Sequence, residues 1–253
     1  MKEDVHYKMT LSYDGTRYKG WQRLKTSEAT IQQKVESVLS RIFGQDIEIH
    51  GSGRTDAGVH AKNQVAHFKS AKRIEPKLLK EDLNRFLPED IAIKDIAFCA
   101  SDFHARFNAT EKTYVYTLWT ADYPPVFERD YVWDMPNKKL DLQKMKQAVP
   151  FFIGKHDFKG FSTDKTKKST TRTIYDITFE QDDTQLKIIF RGDGFLYNMV
   201  RILVGTMLEI GLGTRELSSI TDIFHTQKRE KAGETAPAKG LTLDSVKYEH
   251  EEK

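Results

Sequence analysis

VHYKMTLSYDG, residues 5–15, sets Val5, Tyr7, Met9, Leu11 and Tyr13 at every second position and then turns at Asp14-Gly15. A period of two is what a strand with one buried face requires, so this stretch is expected to be a half-buried strand. Further on, Ile31, Val35, Val38, Leu39 and Ile42 recur at helical spacing, with Thr30 and Gln33 placed as a capping box and Gly44 at the exit. A helix packed on that strand sets the class. Strand patterns at 46–50, 63–68 and 91–98 and a Pro-initiated helix at 76–87 then make the first half one α+β unit.

The second half repeats the mixture. Tyr114, Tyr116 and Leu118 alternate, a helical pattern runs over about 139–150, and Tyr175, Ile177 and Phe179 face Leu186, Ile188 and Phe190 across Asp182-Asp183 as a hairpin. A long helix at 195–210 and a closing strand at 241–248 complete a second sheet with helices. The expectation is two α+β domains of sandwich type, residues 1–105 and 106–253, with mixed, mostly antiparallel sheets able to join and a cleft between them. The segments 162–171 and 226–239 read as mobile loops.

Composition narrows the partners. The 253 residues include 38% hydrophobic, 30% charged and fifteen Phe, which describes a folded globular protein rather than a disordered chain. No apolar run approaches the roughly 18–20 residues of a membrane helix, and residues 1–9 carry charges where a signal peptide would be apolar, so no membrane partner and a cytosolic location are expected. The single cysteine, Cys99, excludes an internal disulfide and a thiolate zinc cluster. Net charge is only +3, but residues 51–73 hold five bases against Asp56, and residues 155–172 hold six against Asp157 and Asp164, a local +4 in each case. Two basic stretches suit a nucleic-acid backbone, and solvated surface lysines are the plainer reading of the same charges.

The densest unusual segment is GSGRTDAGVH, residues 51–60, in which glycines bracket Arg54, Thr55 and Asp56 after a strand pattern. Such a loop lets backbone approach a ligand closely, or serves as an ordinary turn capped by Asp56. Its glycine spacing fits neither the dinucleotide fingerprint nor a P-loop, so no nucleotide cofactor is expected. The helix over 195–210 is apolar nearly all round yet carries Arg201. A guanidinium there needs a carboxylate or a phosphate opposite it, Asp56 being a candidate, or must snorkel to water. If Asp56 is that partner, the adjacent positive charge keeps it ionised, which suits a nucleophile rather than a general acid. ARFNATEKTYVY, residues 105–116, mixes bases with tyrosines as a base-stacking surface would, while Tyr114 and Tyr116 share the inward face of a strand and are also core candidates. Asp164-Lys165-Thr166 resembles the phosphorylated aspartate of ion pumps but lacks the following glycine, and His60 and His67 have no metal-ligand spacing.

Taken in order, YDGTRYKGWQ at 13–22, GRTDAGVHA at 53–61, QVAHF at 64–68, DFHARFNA at 102–109, FLYNMVRILVG at 195–205 and GLTL at 240–243 resemble the signatures of the tRNA pseudouridine synthase A family over almost the whole chain. Lys62-Asn63 stands where members often have a glycine before the glutamine, and Lys112 where many have arginine.

The resemblance implies the pseudouridine synthase fold and an enzyme that isomerises uridine to pseudouridine at positions 38, 39 and 40 of the tRNA anticodon arm, as a homodimer without metal or organic cofactor. Carried onto matching positions, it makes Asp56 the catalytic aspartate, Arg201 its ion-pair partner, Tyr114 the ring stacked on the target uracil and a candidate base for the C5 proton, Leu243 a flank of the base, and Arg54 the filler of the vacated stack. Attack of the carboxylate on C1′, assistance of glycal formation and attack on C6 all stay open. So do two rivals, a noncatalytic RNA-binding protein of the same fold and a metal-dependent aspartate hydrolase or phosphotransferase.

Overall fold

The computed structural model describes residues 4–135, 139–163 and 169–249. They fall into two compact units, the first made of residues up to Thr110 together with those from Thr242 onward, the second of Glu111–Leu241. The last strand thus belongs with the first unit, although chain order had grouped it with the second half.

In the first unit, β1 (Val5–Tyr13) is the expected alternating strand. α1 (Ile31–Phe43) follows, its entry fixed by Thr30 Oγ1 accepting from the Gln33 amide at 3.3 Å and its exit by Gly44 at φ 65. Then come β2 (His50–Gly51), β3 (His60–Ser70), α2 (Pro76–Phe86) and β4 (Ile91–Phe98). β1 lies between β3 and β4 and is antiparallel to both. The core sits on the inward face of β1. Tyr7 stacks on Phe68 with centroids 4.8 Å apart and meets Phe43 edge-on at 5.9 Å, and its hydroxyl is held at Ile74, so a large ring is buried without an unpaired polar atom.

The 46–50 segment alternates as expected, with Ile47 and Ile49 buried, yet only His50 and Gly51 form a strand. The amides of Ile47 and Ile49 bond instead to Ser40 Oγ and Glu36 Oε1, side chains of α1, so burial is present without a ladder partner.

The second unit begins within β5 (Ala109–Trp119), beside which lies the short β6 (Trp133–Asp134) in parallel. α3 (Leu142–Phe152) starts where Asp141 accepts from the Lys144 amide, followed by β7 (Gly154–Asp157), β8 (Thr171–Gln181) and β9 (Gln185–Gly192). β9 is antiparallel to both β5 and β8, and the hairpin turns at Asp182-Asp183 with Ile177 opposite Phe190 and Phe179 opposite Ile188. α4 (Met199–Gly211) begins four residues later than its apolar pattern, and α5 (Ser219–Thr226) was not anticipated. The 226–239 segment, expected to be mobile, is strapped along α4. Gly233 donates to Thr206 Oγ1, Ala236 donates to the Arg201 carbonyl, and a β-carbon on Gly205 would lie 2.0 Å from the Glu234 carbonyl oxygen. Of the other loop, 164–168 lies outside the described residues, including Asp164-Lys165-Thr166.

β10 (Leu241–Tyr248) then pairs in parallel with β3, Thr242 opposite His60 and Leu243 opposite Ala61. The class is α+β with mostly antiparallel pairing, as expected. No described helix is long and apolar enough to cross a membrane.

Candidate active site

The loop between β2 and β3 is braced from below by buried polar groups. Ser52 donates its amide to the Val65 carbonyl at 2.7 Å and its hydroxyl to Gln64 Oε1 at 2.6 Å. The Gln64 amide group in turn donates to the Gly53 carbonyl at 3.0 Å and to the Tyr13 oxygen at 3.4 Å. The Tyr13 and Thr55 hydroxyls lie 2.8 Å apart. Burial pushes the Tyr13 hydroxyl up to about 12, so it stays protonated as a fixed hydrogen-bonding group.

A second brace comes from the segment after β1. Trp21 donates to the Thr55 carbonyl at 3.0 Å and Gly58 to the Tyr18 carbonyl at 3.3 Å. Gly20 adopts φ +92, and a β-carbon there would come within 2.6 Å of the Thr55 oxygen, so only glycine lets the two segments approach this closely. At the far end the Gly15 amide donates to Nδ1 of His60, and the Val59 amide closes a turn on the Asp56 carbonyl. His60 is therefore structural.

Within this scaffold Thr55 is buried, Asp56 half-buried and Arg54 exposed. Leu243, fully buried, lies opposite Ala61, the residue that continues the loop into β3. The loop that carries Arg54 and Asp56 thus runs into β3 at the end where Leu243 of β10 pairs with it. Lys62 and Asn63 tie the same strands together. Asn63 Nδ2 donates to the Asp244 carbonyl at 2.6 Å, and Lys62 Nζ lies 3.6 Å from Asp244 Oδ1.

Tyr114 and Arg201 belong to the second unit. Tyr114 is 7% exposed, sits opposite Phe190 and meets Phe195 edge-on at 5.2 Å. Tyr116, on the same strand, donates its hydroxyl to the Pro237 carbonyl at 2.8 Å, and burial drives its ionisation far above the ordinary range. Arg201, half-buried, donates from Nε to the Ala236 carbonyl at 2.7 Å and from Nη1 to Asn198 Oδ1 at 2.8 Å. Asn198 is held at φ 61, a conformation few non-glycine residues adopt, and its Nδ2 donates to Thr163. Sequence periodicity points to Arg201 but not to this mount, because a backbone carbonyl leaves no signature in side-chain pattern.

Chemically, a braced carboxylate on a glycine-flanked loop can attack or deprotonate a ligand without first paying to become ordered. Among the described residues no group of three or more His, Cys, Asp or Glu is placed to hold a metal ion. Burial pushes the Cys99 thiol up to about 11, which keeps it protonated at neutral pH.

A family model described as tRNA pseudouridine synthase matches residues 9–108 and 148–249. The chain belongs to the tRNA pseudouridine synthase family. Within it, the chain is 48% identical over 244 residues to a tRNA pseudouridine synthase A from Bacillus sp. (strain KSM-64), covering 96% of this chain and 99% of the relative. It is 46% identical to a tRNA pseudouridine synthase A 2 from Clostridium perfringens (95% and 98% covered) and 44% identical to a tRNA pseudouridine synthase A from Clostridium kluyveri (95% and 98%). The family match includes both the 51–60 loop and the Arg201 helix.

Proposed function

We propose that this chain isomerises uridine to pseudouridine in tRNA, at positions 38, 39 and 40 of the anticodon arm, as a cytosolic homodimer that needs no metal, organic or nucleotide cofactor. The reading rests above all on the half-buried Asp56, carried on a loop braced by Tyr13, Gln64 and Gly20 in a chain of this family. The reaction breaks the N1–C1′ bond, turns the base, joins C5 to C1′, and moves one proton from C5 to the freed N1, so atoms balance without a co-reactant. Asp56 supplies the carboxylate that attacks C1′ or takes the C2′ proton in a glycal route. Both routes need it ionised, and in both Arg201 serves as its ion-pair partner.

The remaining assignments follow from the chemistry. Tyr114 stacks on the extruded uracil and is the candidate base for the C5 proton, Leu243 flanks the ring, and the planar guanidinium of Arg54 fills the stack the uridine leaves, offsetting a flipping cost of a few kcal/mol. Incubation of an unmodified tRNA transcript with the protein, followed by carbodiimide labelling and reverse transcription, tests this. Stops are expected at positions 38, 39 or 40, and a transcript bearing uridines there but giving none would overturn the proposal. Undiminished formation in chelator is expected, and loss of activity on removing divalent metal would favour the metal-dependent rival.

A further inference from the structure

Next to Arg54 the first unit carries an aromatic column that the proposed chemistry does not use. His50, His67, His104 and Phe107 approach one another in sequence, His50 to His67 at 5.2 Å, His67 to His104 at 4.6 Å and His104 to Phe107 at 4.2 Å between centroids. The column ends at the surface, where Phe107 is 75% exposed. An exposed phenyl ring is ordinarily unfavourable and mobile, yet this one is built into a fixed turn. Asn108 donates to the His104 carbonyl, and the His104 amide donates to Asn108 Oδ1. The amides of Ala105 and Arg106 donate to Nδ1 of His67 and of His104, each at 3.1 Å. Both imidazoles must be neutral at Nδ1 to accept those bonds. Burial lowers both, His67 to about 4, so they remain uncharged at neutral pH.

The surroundings decide what such a ring would take. A concavity of about 250 Å³ is lined by Arg54, Arg106, Phe107, His104, His50 and Glu48 among others, and Glu48 is itself 3.9 Å from Arg23. A second concavity of about 460 Å³, which His50, His67 and His104 also line, carries Asp4, Asp46, Glu48 and Asp102 against Lys69, an acidic lining that disfavours anions. The exposed guanidinium of Arg106 beside a flat exposed ring offers a phosphate contact and a π-face together, the pair of features that holds an unpaired nucleotide. A protein side chain would use the ring but would leave Arg106 without a specific role.

We infer that Phe107 and Arg106 form a second nucleotide site beside Arg54, on which an unpaired base of the substrate tRNA other than the reacting uridine stacks on Phe107 while its phosphate is held by Arg106. The inference rests on the tRNA-modifying reading above. The site contributes to binding and register and does not touch the reacting atoms.

The test compares wild type, Phe107→Ala, Phe107→Trp and Arg106→Gln in direct binding to an unmodified tRNA transcript and in single-turnover pseudouridine formation at saturating enzyme. Phe107→Ala is expected to raise Kd about tenfold, one lost base stack, with the single-turnover rate unchanged, and Phe107→Trp to restore Kd to within about twofold of wild type. Arg106→Gln should reduce the slope of log Kd against log salt by about one. Because Phe107 is largely exposed, these variants keep the wild-type melting temperature. A Kd for Phe107→Ala within twofold of wild type would overturn the inference and give the ring to a protein partner. A lowered rate at unchanged Kd, or an unaltered salt slope, would also overturn it. Failure of the tRNA-modifying reading is seen separately, as a wild type that binds tRNA but forms no pseudouridine.

Discussion

The hydroxyl of Tyr13, at the end of β1, lies 2.8 Å from the hydroxyl of Thr55, the residue immediately before Asp56. The bond is buried and Gln64 completes it, so the position of the carboxylate is set from the core of the first unit rather than by the loop alone. Tyr13→Phe leaves the Thr55 hydroxyl and the Gln64 amide short of a buried partner. It is expected to cost about 1–2 kcal/mol in urea unfolding and to lower kcat several-fold with little change in tRNA affinity. A variant as stable and as active as wild type would show that the loop holds Asp56 without this brace.

Gly20 is the second determinant. At φ +92, with the Thr55 oxygen only 2.6 Å from where a β-carbon would sit, alanine strains the backbone and pushes residues 55–56 outward at once. Gly20→Ala should lose about 2 kcal/mol or more and more than tenfold in turnover, read by thermal melting and single-turnover assay. Gly213→Ala is the control. It also has positive φ but meets nothing within 4 Å, so it should share the stability loss in part and leave turnover alone.

Those two positions show what could be read in the chain and what could not. The alternation from Val5 to Tyr13, the Thr30 and Gly44 caps and the Asp182-Asp183 hairpin are local features, and periodicity and turn chemistry report them directly. The 46–50 segment shows the limit. Its apolar alternation truly marks burial, but the backbone is satisfied by Glu36 and Ser40 from a helix, a tertiary arrangement with the same pattern as a strand. The strap over α4 and the mount of Arg201 on Ala236 and Asn198 use backbone groups, which carry no residue signature. The Asp56 loop stood out because glycine, arginine and aspartate in one short stretch are unusual. The role of Tyr13, by contrast, was hidden by its place in an ordinary core pattern.

Acid should loosen the first unit through His67. In the unfolded chain its imidazole takes up a proton near 6.5, whereas burial, with His104 and His50 close by, holds it down to about 4 in the fold. Between those values the unfolded chain binds more protons, so stability is fully present above about 6.5 and falls as pH drops toward 4. His67→Asn keeps an acceptor for the Ala105 amide but cannot titrate. Its unfolding free energy should therefore fall less between pH 7.5 and 5 than that of wild type, and an identical fall would assign the acid sensitivity to other groups.

The central claim concerns one carboxylate. Tritium released from C5-labelled uridine in tRNA should be readily measured with wild type and should fall by on the order of a thousandfold or more with Asp56→Asn, which keeps shape and removes charge, while tRNA binding is retained. Turnover by Asp56→Asn within tenfold of wild type would contradict the account.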